Sequence, residues 1–322
     1  MKAIQIAKTG GPEVLEYVDL PKPAPAAGQV LIKVVASGVN FIDTYLREGR
    51  YPAPLPFIAG QEGAGVVEGV GEGATGFQEG DHVAWMGTRG SYAEYAAVPA
   101  ADVLHVPEKL SLHQAAAAMI QGVTAHYLSH STYPIQKGDT VLVHAGAGGV
   151  GLLLTQMAKM LGATVLTTVS TEDKAALSRE AGADQVILYT QQDFREELLK
   201  FTGGVGIPVV YDAVGKTTFE DSLKCLRTRG MMVLYGASSG AVPPLDPIRL
   251  MSSGSLYLTR PTSKDYTRTR AELEQRMGDV FGWILDGKLK VRIGHEYPLA
   301  EAAQAQKDLE GRKTTGKVLL IP

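Results

Sequence analysis

A glycine run between a β-type segment and a helical segment constrains this chain more than any other part of its sequence. The β-type run Thr140–His144 leads into Gly146–Gly151 (GAGGVG), and a helical run, Leu152–Leu161, follows and stops at Gly162. Glycines let the backbone turn sharply and approach a ligand without an intervening Cβ. The N–H groups and the positive dipole end of the helix then face anions. The run therefore predicts a strand, tight turn and helix that hold a dinucleotide pyrophosphate.

Composition narrows the class of protein. The 322 residues are enough for two domains, and 45% hydrophobic with 20% charged residues is typical of a globular protein. The net charge of −3 gives no sign of a nucleic-acid or anionic-membrane partner. The single cysteine, Cys225, excludes an intramolecular disulfide and a cysteine-based zinc site. The N-terminus lacks an apolar signal core, so we expect a cytoplasmic protein.

Two sequence patterns divide the chain into two regions. The first ~120 residues are short β-type runs punctuated by Gly and Pro, which predicts a mostly β domain. From about Gly122, six strands alternate with helical spacers, which predicts a doubly wound parallel sheet. The predicted strands are Thr140–His144, Thr164–Val169, Gln185–Tyr189, Pro208–Asp212, Met231–Tyr235 and Ser255–Thr259. Helices are predicted over Thr267–Leu285 and Leu299–Glu310, and the last strand, Gly316–Pro322, is expected to return to the first domain.

The end of the second strand of this sheet indicates which nicotinamide cofactor binds. In NAD enzymes an acidic residue commonly stands there and holds the ribose 2′-OH. Here the position is Ser170, with Lys174 four residues further on. A 2′-phosphate favours hydroxyl donors and a cation, so the pair predicts NADPH. The alternative is a solvated lysine beside an ordinary helix cap, and Glu172 and Asp173 keep that interpretation open.

Several segments along the chain together resemble the motifs of a known family. The residues that carry the resemblance are Gly138, Asp139, Leu142, Ala147–Gly151, Gln156 and Lys159, with GGPEVL at 10–15, GVNFIDTYLREGRYP at 38–52, GDHVAW at 80–85, VVYDAVG at 209–215 and GSLYLTRP at 254–261. Together they resemble the zeta-crystallin-like NADPH:quinone oxidoreductases of the medium-chain dehydrogenase/reductase superfamily. Gly146 departs from the pattern, since the family more often has Ala there.

The resemblance implies a discontinuous GroES-like catalytic domain (1–121 and 261–322), a Rossmann NADPH-binding domain (122–260) and a homodimer. It also implies that no metal takes part. Zinc-dependent relatives carry a Gly-His-Glu motif and a nearby cysteine. This chain instead has Gln61 within Gly60–Glu62, and Asn40 near the position of the cysteine.

The site residues follow in part from the glycine turn and in part from the resemblance. We expect cofactor contacts from Asn40, Thr124, Gly146, Gly148, Gly149, Val150, Gly151, Ser170, Lys174, Tyr189, Gly236, Ser238, Arg260 and Lys317. Each basic residue could equally be plain surface charge. The expected catalytic residues are Asn40, Asp43, Tyr45, Tyr51 and Gln61, in a cleft between the domains. Two tyrosines can stack on a quinone ring and offer hydroxyls to its oxygens, although Tyr45 fits a core position equally well.

The function that fits these features is metal-free reduction of quinones by NADPH. An alternative is reduction of the activated C=C bond of an enal or enone, which uses the same cofactor geometry. An alternative of another class is a cofactor-binding structural or RNA-associated protein of the crystallin kind. The net charge of −3 and the lack of a basic patch argue against RNA.

Overall fold

The computed structural model describes residues 1–322 and divides them into two compact units. Unit 1 comprises Met1–Val123 and Thr267–Pro322, and unit 2 comprises Thr124–Tyr266. Unit 2 is thus one continuous segment, whereas unit 1 is assembled from both ends of the chain. None of the helices combines the length and the apolar composition that a bilayer crossing requires.

Sixteen strands and ten α-helices make up the two units. The strands are β1 (Lys2–Ile6), β2 (Glu16–Asp19), β3 (Gln29–Val39), β4 (Phe57–Ile58), β5 (Glu62–Val70), β6 (His82–Met86), β7 (Tyr95–Pro99), β8 (Val103–His105), β9 (Thr140–His144), β10 (Thr164–Val169), β11 (Gln185–Leu188), β12 (Ile207–Asp212), β13 (Leu226–Leu234), β14 (Tyr257–Thr259), β15 (Ile293–Pro298) and β16 (Lys317–Ile321). The helices are α1 (Phe41–Arg47), α2 (Leu112–Tyr127), α3 (Gly149–Met160), α4 (Glu172–Glu180), α5 (Phe194–Phe201), α6 (Phe219–Lys224), α7 (Ile248–Ser252), α8 (Ser263–Tyr266), α9 (Arg270–Leu285) and α10 (Ala302–Glu310).

Unit 1 is built mostly of β-strands, as predicted, and most of them pair antiparallel. A seven-stranded sheet has the order β15-β16-β3-β5-β6-β8, with β7 also paired to β3, and a three-stranded sheet has the order β2-β1-β4. The C-terminal strand β16 pairs with β3, with Val318 opposite Val39, which confirms the predicted return. Alternate residues of β3, such as Val30, Ile32 and Val34, pack around the fully buried Trp85 because strand side chains alternate between faces.

Unit 2 is a parallel six-stranded sheet of order β11-β10-β9-β12-β13-β14, which confirms the doubly wound prediction. The central strands β9 and β12 are buried almost throughout and mainly apolar because parallel sheets are covered on both faces, and each ends in a polar residue, His144 or Asp212. Strand β13 begins earlier than predicted, at Leu226. Its exposed residues Arg227–Arg229 hide the strand pattern, and Arg229 has a φ of 60° next to an irregular register with β12.

Helix α1 is one of the short helices that sequence periodicity did not predict, with α7 and α8. It is only seven residues long and mixes aromatic, β-branched and charged residues. Two hydrogen bonds between Asn40 and Asp43 fix its first turn. The backbone N–H of Asn40 donates to Asp43 Oδ2 over 2.9 Å, and the N–H of Asp43 donates to the Asn40 carbonyl over 3.1 Å. This local exchange starts a helix that propensity alone would not favour.

Candidate functional site

The glycine turn of unit 2 leaves the start of α3 without a side-chain cap. Gly148 is the N-cap residue and has no side chain to accept a hydrogen bond. The first N–H groups of the helix, those of Gly149, Val150 and Gly151, therefore lack the partner that a Ser, Thr or Asp would supply. In contrast, Thr171 caps α4 by accepting from the Lys174 N–H over 3.4 Å. The α3 terminus is thus a set of donors suited to an anion.

Close packing explains why glycine stands at two places in the turn. A Cβ on Gly151 would overlap the carbonyl oxygen of Ala145. A Cβ on Gly146 would lie 2.6 Å from Thr167 Cβ. Alanine at 146, the more common residue in the family that the sequence resembles, would therefore displace Thr167, whose hydroxyl is hydrogen-bonded to Ser178 at 2.7 Å. Ala145 itself has a φ of 55°, a left-handed conformation that the sequence did not indicate.

Other predicted cofactor residues follow the ends of neighbouring strands. Ser170 is half-buried after β10, and its carbonyl accepts from Thr190 Oγ1 over 3.0 Å. Tyr189 follows β11, with 38% of its surface exposed, and its N–H donates to the Val169 carbonyl. Since β9, β10 and β11 are parallel neighbours, Ser170 and Tyr189 lie at the same sheet edge as the glycine turn.

The remaining predicted cofactor residues of unit 2 lie on its other half and on α2. The N–H of Gly236, after β13, donates to the Asp212 carbonyl over 3.2 Å, and that of Ser238 donates to the Ala213 carbonyl over 3.1 Å. Arg260 is exposed after β14, and its Nη1 donates to the Leu234 carbonyl over 2.8 Å. Thr124 is buried in α2. Gly236, Ser238 and Arg260 therefore also lie at the carboxyl ends of the strands, where open parallel sheets bind ligands.

In unit 1, Asn40 belongs to a buried ionic cluster. Its Nδ2 donates to Glu62 Oε1 over 2.5 Å, and its Oδ1 accepts from Lys317 Nζ over 2.9 Å. Glu62 and Lys317 form an ion pair, and both are completely buried. Glu62 Oε2 also accepts from the backbone N–H of Ile120 over 2.7 Å. A Cβ on Gly38 would overlap the Glu62 carboxylate, so glycine is required beside the pair.

Asp43 lies one helical turn from Asn40 and is also buried. Its Oδ2 accepts from the Asn40 N–H and from the Tyr92 hydroxyl, each over 2.9 Å, while its Oδ1 has no partner. Burial raises the pKa of Asp43 to about 6, although the two hydrogen bonds and the charge of Lys317 lower it. Asp43 is therefore a carboxyl group that titrates near neutrality.

The aromatic residues of the predicted catalytic set lie together. The rings of Tyr45 and Tyr51 meet edge to face with centroids 5.6 Å apart, and the Arg50 guanidinium lies over the Tyr45 ring at 5.4 Å. Tyr45 is buried, whereas 40% of Tyr51 is exposed. Gln61 precedes Glu62 on the chain, and its Nε2 is a buried donor without a hydrogen-bond partner.

Sequence reasoning missed two members of this site and the surroundings of a third. Glu62 was noted only as part of a motif, Tyr92 was not singled out, and Lys317 was expected as a cofactor contact, without the buried ion pair that it forms. One signal was available: Glu62 is a lone carboxylate at the start of the run EGAGVV, and a buried charge requires a partner. No group of three or more His, Cys, Asp or Glu side chains is arranged to hold a metal ion.

Comparisons with known proteins cover the chain from end to end. The protein-family descriptions "Alcohol dehydrogenase GroES-like domain" and "Zinc-binding dehydrogenase" match residues 26–108 and 149–279. A quinone oxidoreductase from Pseudomonas aeruginosa is 44% identical over 323 residues, covering 100% of this chain and 99% of the relative. A 2-haloacrylate reductase from a Burkholderia species is 41% identical over 332 residues, covering 99% of this chain and 98% of the relative.

Two solved structures are similar over the full length of both chains. A mycobacterial protein in complex with NADPH has a TM-score of 0.97 at 50% identity, and both chains are covered to 100%. The Escherichia coli quinone oxidoreductase in complex with NADPH has a TM-score of 0.98 at 43% identity, again with 100% of both chains covered.

Proposed function

The chain belongs to the quinone oxidoreductase family of medium-chain dehydrogenases/reductases, and from this premise we propose that it reduces quinones with NADPH and without a metal ion. The observation that carries the proposal is the full-length identity of 44% to a quinone oxidoreductase. The two NADPH complexes among its structural relatives support the cofactor. The absence of the zinc ligands expected from zinc-dependent relatives, with Gln61 and Asn40 in their places, supports a reaction without metal.

The glycine turn fits a dinucleotide because the N–H donors at the start of α3 are uncapped, and because Gly151 lets α3 pack directly against the Ala145 carbonyl. When bound, NADPH supplies the reducing equivalents. Backbone N–H groups of Gly149–Gly151 would hold the pyrophosphate, and Ser170 and Lys174 would hold the 2′-phosphate. The other predicted contacts at the carboxyl edge of the sheet and on α2 are Tyr189, Gly236, Ser238, Arg260 and Thr124.

On the substrate side, this chain offers aromatic faces and hydrogen-bond donors. The half-exposed ring of Tyr51, braced edge to face by Tyr45, would stack on a flat quinone ring. The buried Nε2 of Gln61 is a donor without an acceptor, and a quinone oxygen would satisfy it. Lys317 has a further role beside its predicted cofactor contact: with Glu62 it fixes the side-chain amide of Asn40.

We also propose a homodimer, on the basis of the open edge of the unit 2 sheet. Strand β14 has a partner only on its β13 side, and its residues Tyr257 and Leu258 are exposed. Ile248 and Met251 of α7 are also exposed. An apolar edge strand favours pairing with another strand, and a second copy supplies one. Sedimentation velocity should give twice the chain mass of 34.3 kDa. A single species at the chain mass would contradict the dimer.

The acceptor is tested by following NADPH oxidation with 1,2- and 1,4-quinones, with 2-alkenals and with no acceptor. We expect the largest kcat/KM with a quinone. A larger kcat/KM with an alkenal would favour the alternative, reduction of an activated C=C bond, to which the similarity with a 2-haloacrylate reductase points. Tight NADPH binding without turnover on any acceptor would instead favour a cofactor-binding protein with a structural role.

A further inference from the structure

The buried face of α1 and its N-cap residue is mainly polar. Asn40, Asp43 and Arg47 follow one another at helical spacing, and each is at least nine-tenths buried. Polar groups buried in this way are costly unless each finds a partner. Their partners come from other elements of unit 1, so this face fixes α1, and with it Tyr45, in one orientation.

Tyr92 connects the middle of this face, at Asp43, to the rest of unit 1. It is completely buried, and its hydroxyl donates to Asp43 Oδ2 over 2.9 Å. Burial and the neighbouring Asp43 raise the pKa of Tyr92 well above its ordinary value, so the hydroxyl keeps its proton and remains a donor. Gly60 has a φ of 83°, and a Cβ there would overlap the Tyr92 ring. The chain thus leaves space for this ring beside Gln61.

The far end of the face is tied to α10. Arg47 Nη1 donates to Gln306 Oε1 over 2.6 Å, and its Nη2 donates to Glu310 Oε1 over 2.9 Å. Gln306 is buried beside the Tyr92 hydroxyl and lowers the pKa of that group. Two hydrogen-bonded groups therefore meet on this face: Arg47 with Gln306 and Glu310, and Tyr92 with Asp43 and the Asn40 backbone. Gln306 Nε2, which lies between them, is buried without a hydrogen-bond partner.

Resting on the proposed function, we propose that Tyr92 is a positioning residue for quinone reduction. Its hydroxyl fixes Asp43 Oδ2, the same oxygen accepts the backbone N–H of Asn40, and the Asn40 amide is thereby aligned with Glu62 and Lys317. Asp43 then acts through Asn40, not on the substrate, because its one unpartnered oxygen is itself buried.

A change at Tyr92 can be detected through the pKa of Asp43, which also depends on the charged groups that face this carboxyl. Glu62 on β5 raises the pKa of Asp43, and Lys317 on β16 lowers it. The hydrogen bond from Tyr92 also lowers it, so its removal shifts the Asp43 titration upwards. Replacing Tyr92 with a stronger donor of the same shape shifts the titration downwards.

The experiment compares Tyr92→Phe with Tyr297→Phe in the full-length protein. Tyr297 makes the same kind of bond in the same unit, from its hydroxyl to Asp308 Oδ2 over 3.0 Å, but to a carboxylate of α10 and not of α1. The Asp43 carboxyl is titrated by 13C NMR in aspartate-labelled protein, with its resonance assigned by its loss in Asp43→Asn. In parallel, kcat for a quinone and the Kd of NADPH are measured.

We expect Tyr92→Phe to raise the Asp43 titration midpoint and to lower kcat by about tenfold, the effect of one hydrogen bond to a charged group. The Kd of NADPH should stay that of the parent because the glycine turn is untouched. Tyr297→Phe should change none of these quantities. An unmoved midpoint, or a moved midpoint with parental kcat, would overturn the proposal.

The proposal can still be tested if Tyr92→Phe does not fold or if the parent protein does not reduce quinones. If Tyr92→Phe does not fold, 3-fluorotyrosine at position 92 supplies a stronger hydrogen-bond donor of nearly the same shape. The titration midpoint of Asp43 should then fall. An unchanged midpoint would overturn the proposal. If the parent turns over no quinone, the proposed function fails. The titration midpoint then still reports whether Tyr92 controls Asp43.

Discussion

The glycine turn of unit 2 presents backbone N–H groups from one short segment, whereas the buried face of α1 in unit 1 presents side chains whose partners are distant in sequence. Every residue of the turn lies between Ala145 and Leu152. Asn40, in contrast, is bonded to Lys317, 277 positions away. A backbone site depends on the local turn geometry, and a side-chain network depends on each of its members. The two regions should therefore respond to mutation in different ways.

The largest effect is expected from Lys317→Met, which removes one partner of the buried ion pair. Glu62 is then left charged and completely buried, which costs about 3–5 kcal/mol of unfolding free energy. Urea denaturation measures the loss. Lys313→Met, at an exposed lysine paired with Asp308, should cost less than about 1 kcal/mol. If both variants are equally stable, the side-chain network does not stabilise unit 1.

Asp43→Asn should change how stability depends on pH. The folded-state pKa of Asp43, about 6, lies above its ordinary value of 3.8, so the folded protein holds this proton more tightly than the unfolded chain. The resulting stability is present below pH 3.8 and is lost as the pH rises through 6. The loss is about 3 kcal/mol, and the variant should not show it.

Urea denaturation at both ends of this pH range measures the difference, with Asp286→Asn, at an exposed carboxylate, as the control. Parallel pH profiles for the parent and Asp43→Asn would contradict the raised pKa.

Gly151→Ala tests whether NADPH binding depends on the close backbone packing of the turn. The added Cβ would overlap the Ala145 carbonyl oxygen, so the turn must shift, at a cost of about 2 kcal/mol. Fluorescence titration should show weaker NADPH binding. Gly282→Ala in α9 is the matched control, since its Cβ would meet no atom within 4 Å and alanine favours helices. Parental NADPH affinity in Gly151→Ala would show that the cradle is not closely packed.

Lys174→Ala tests the cofactor preference that was predicted at the end of β10. Loss of one charge-assisted contact should lower the ratio of kcat/KM for NADPH to that for NADH by about tenfold. Lys200→Ala, in the last turn of α5, serves as the surface-lysine control. If the parent protein has the same kcat/KM with NADPH and with NADH, Ser170 and Lys174 do not bind a 2′-phosphate.

The smallest effect is expected at Ala145, whose φ of 55° is unfavourable for a residue with a side chain. Ala145→Gly should relieve about 1 kcal/mol of strain and raise the midpoint of thermal unfolding slightly. NADPH affinity should be retained, because the N–H groups at the start of α3 are unchanged. A lower unfolding midpoint would mean that the turn holds this conformation without strain.

The contrast between the two regions also explains what sequence could predict. The strand, turn and helix at Thr140–Met160 follow a local pattern, so their order, the bounds of β9 and the parallel sheet could be predicted from periodicity and glycine placement. The helix was predicted to start at Leu152 but starts at Gly149, because the glycines form its first turn. The partners of Asn40 could not follow in this way, because they meet only after β3, β5 and β16 pair. Tyr92 has no motif of its own, and its role depends on the space that Gly60 leaves.

The most direct test of the whole account is an anaerobic assay that counts products. Purified protein is mixed with NADPH and a 1,4-quinone, and NADPH consumption and hydroquinone formation are followed together. We expect one hydroquinone for each NADPH, at a rate that chelation of metal ions leaves unchanged. Failure to consume NADPH with any quinone, or loss of activity on chelation that zinc restores, would contradict it.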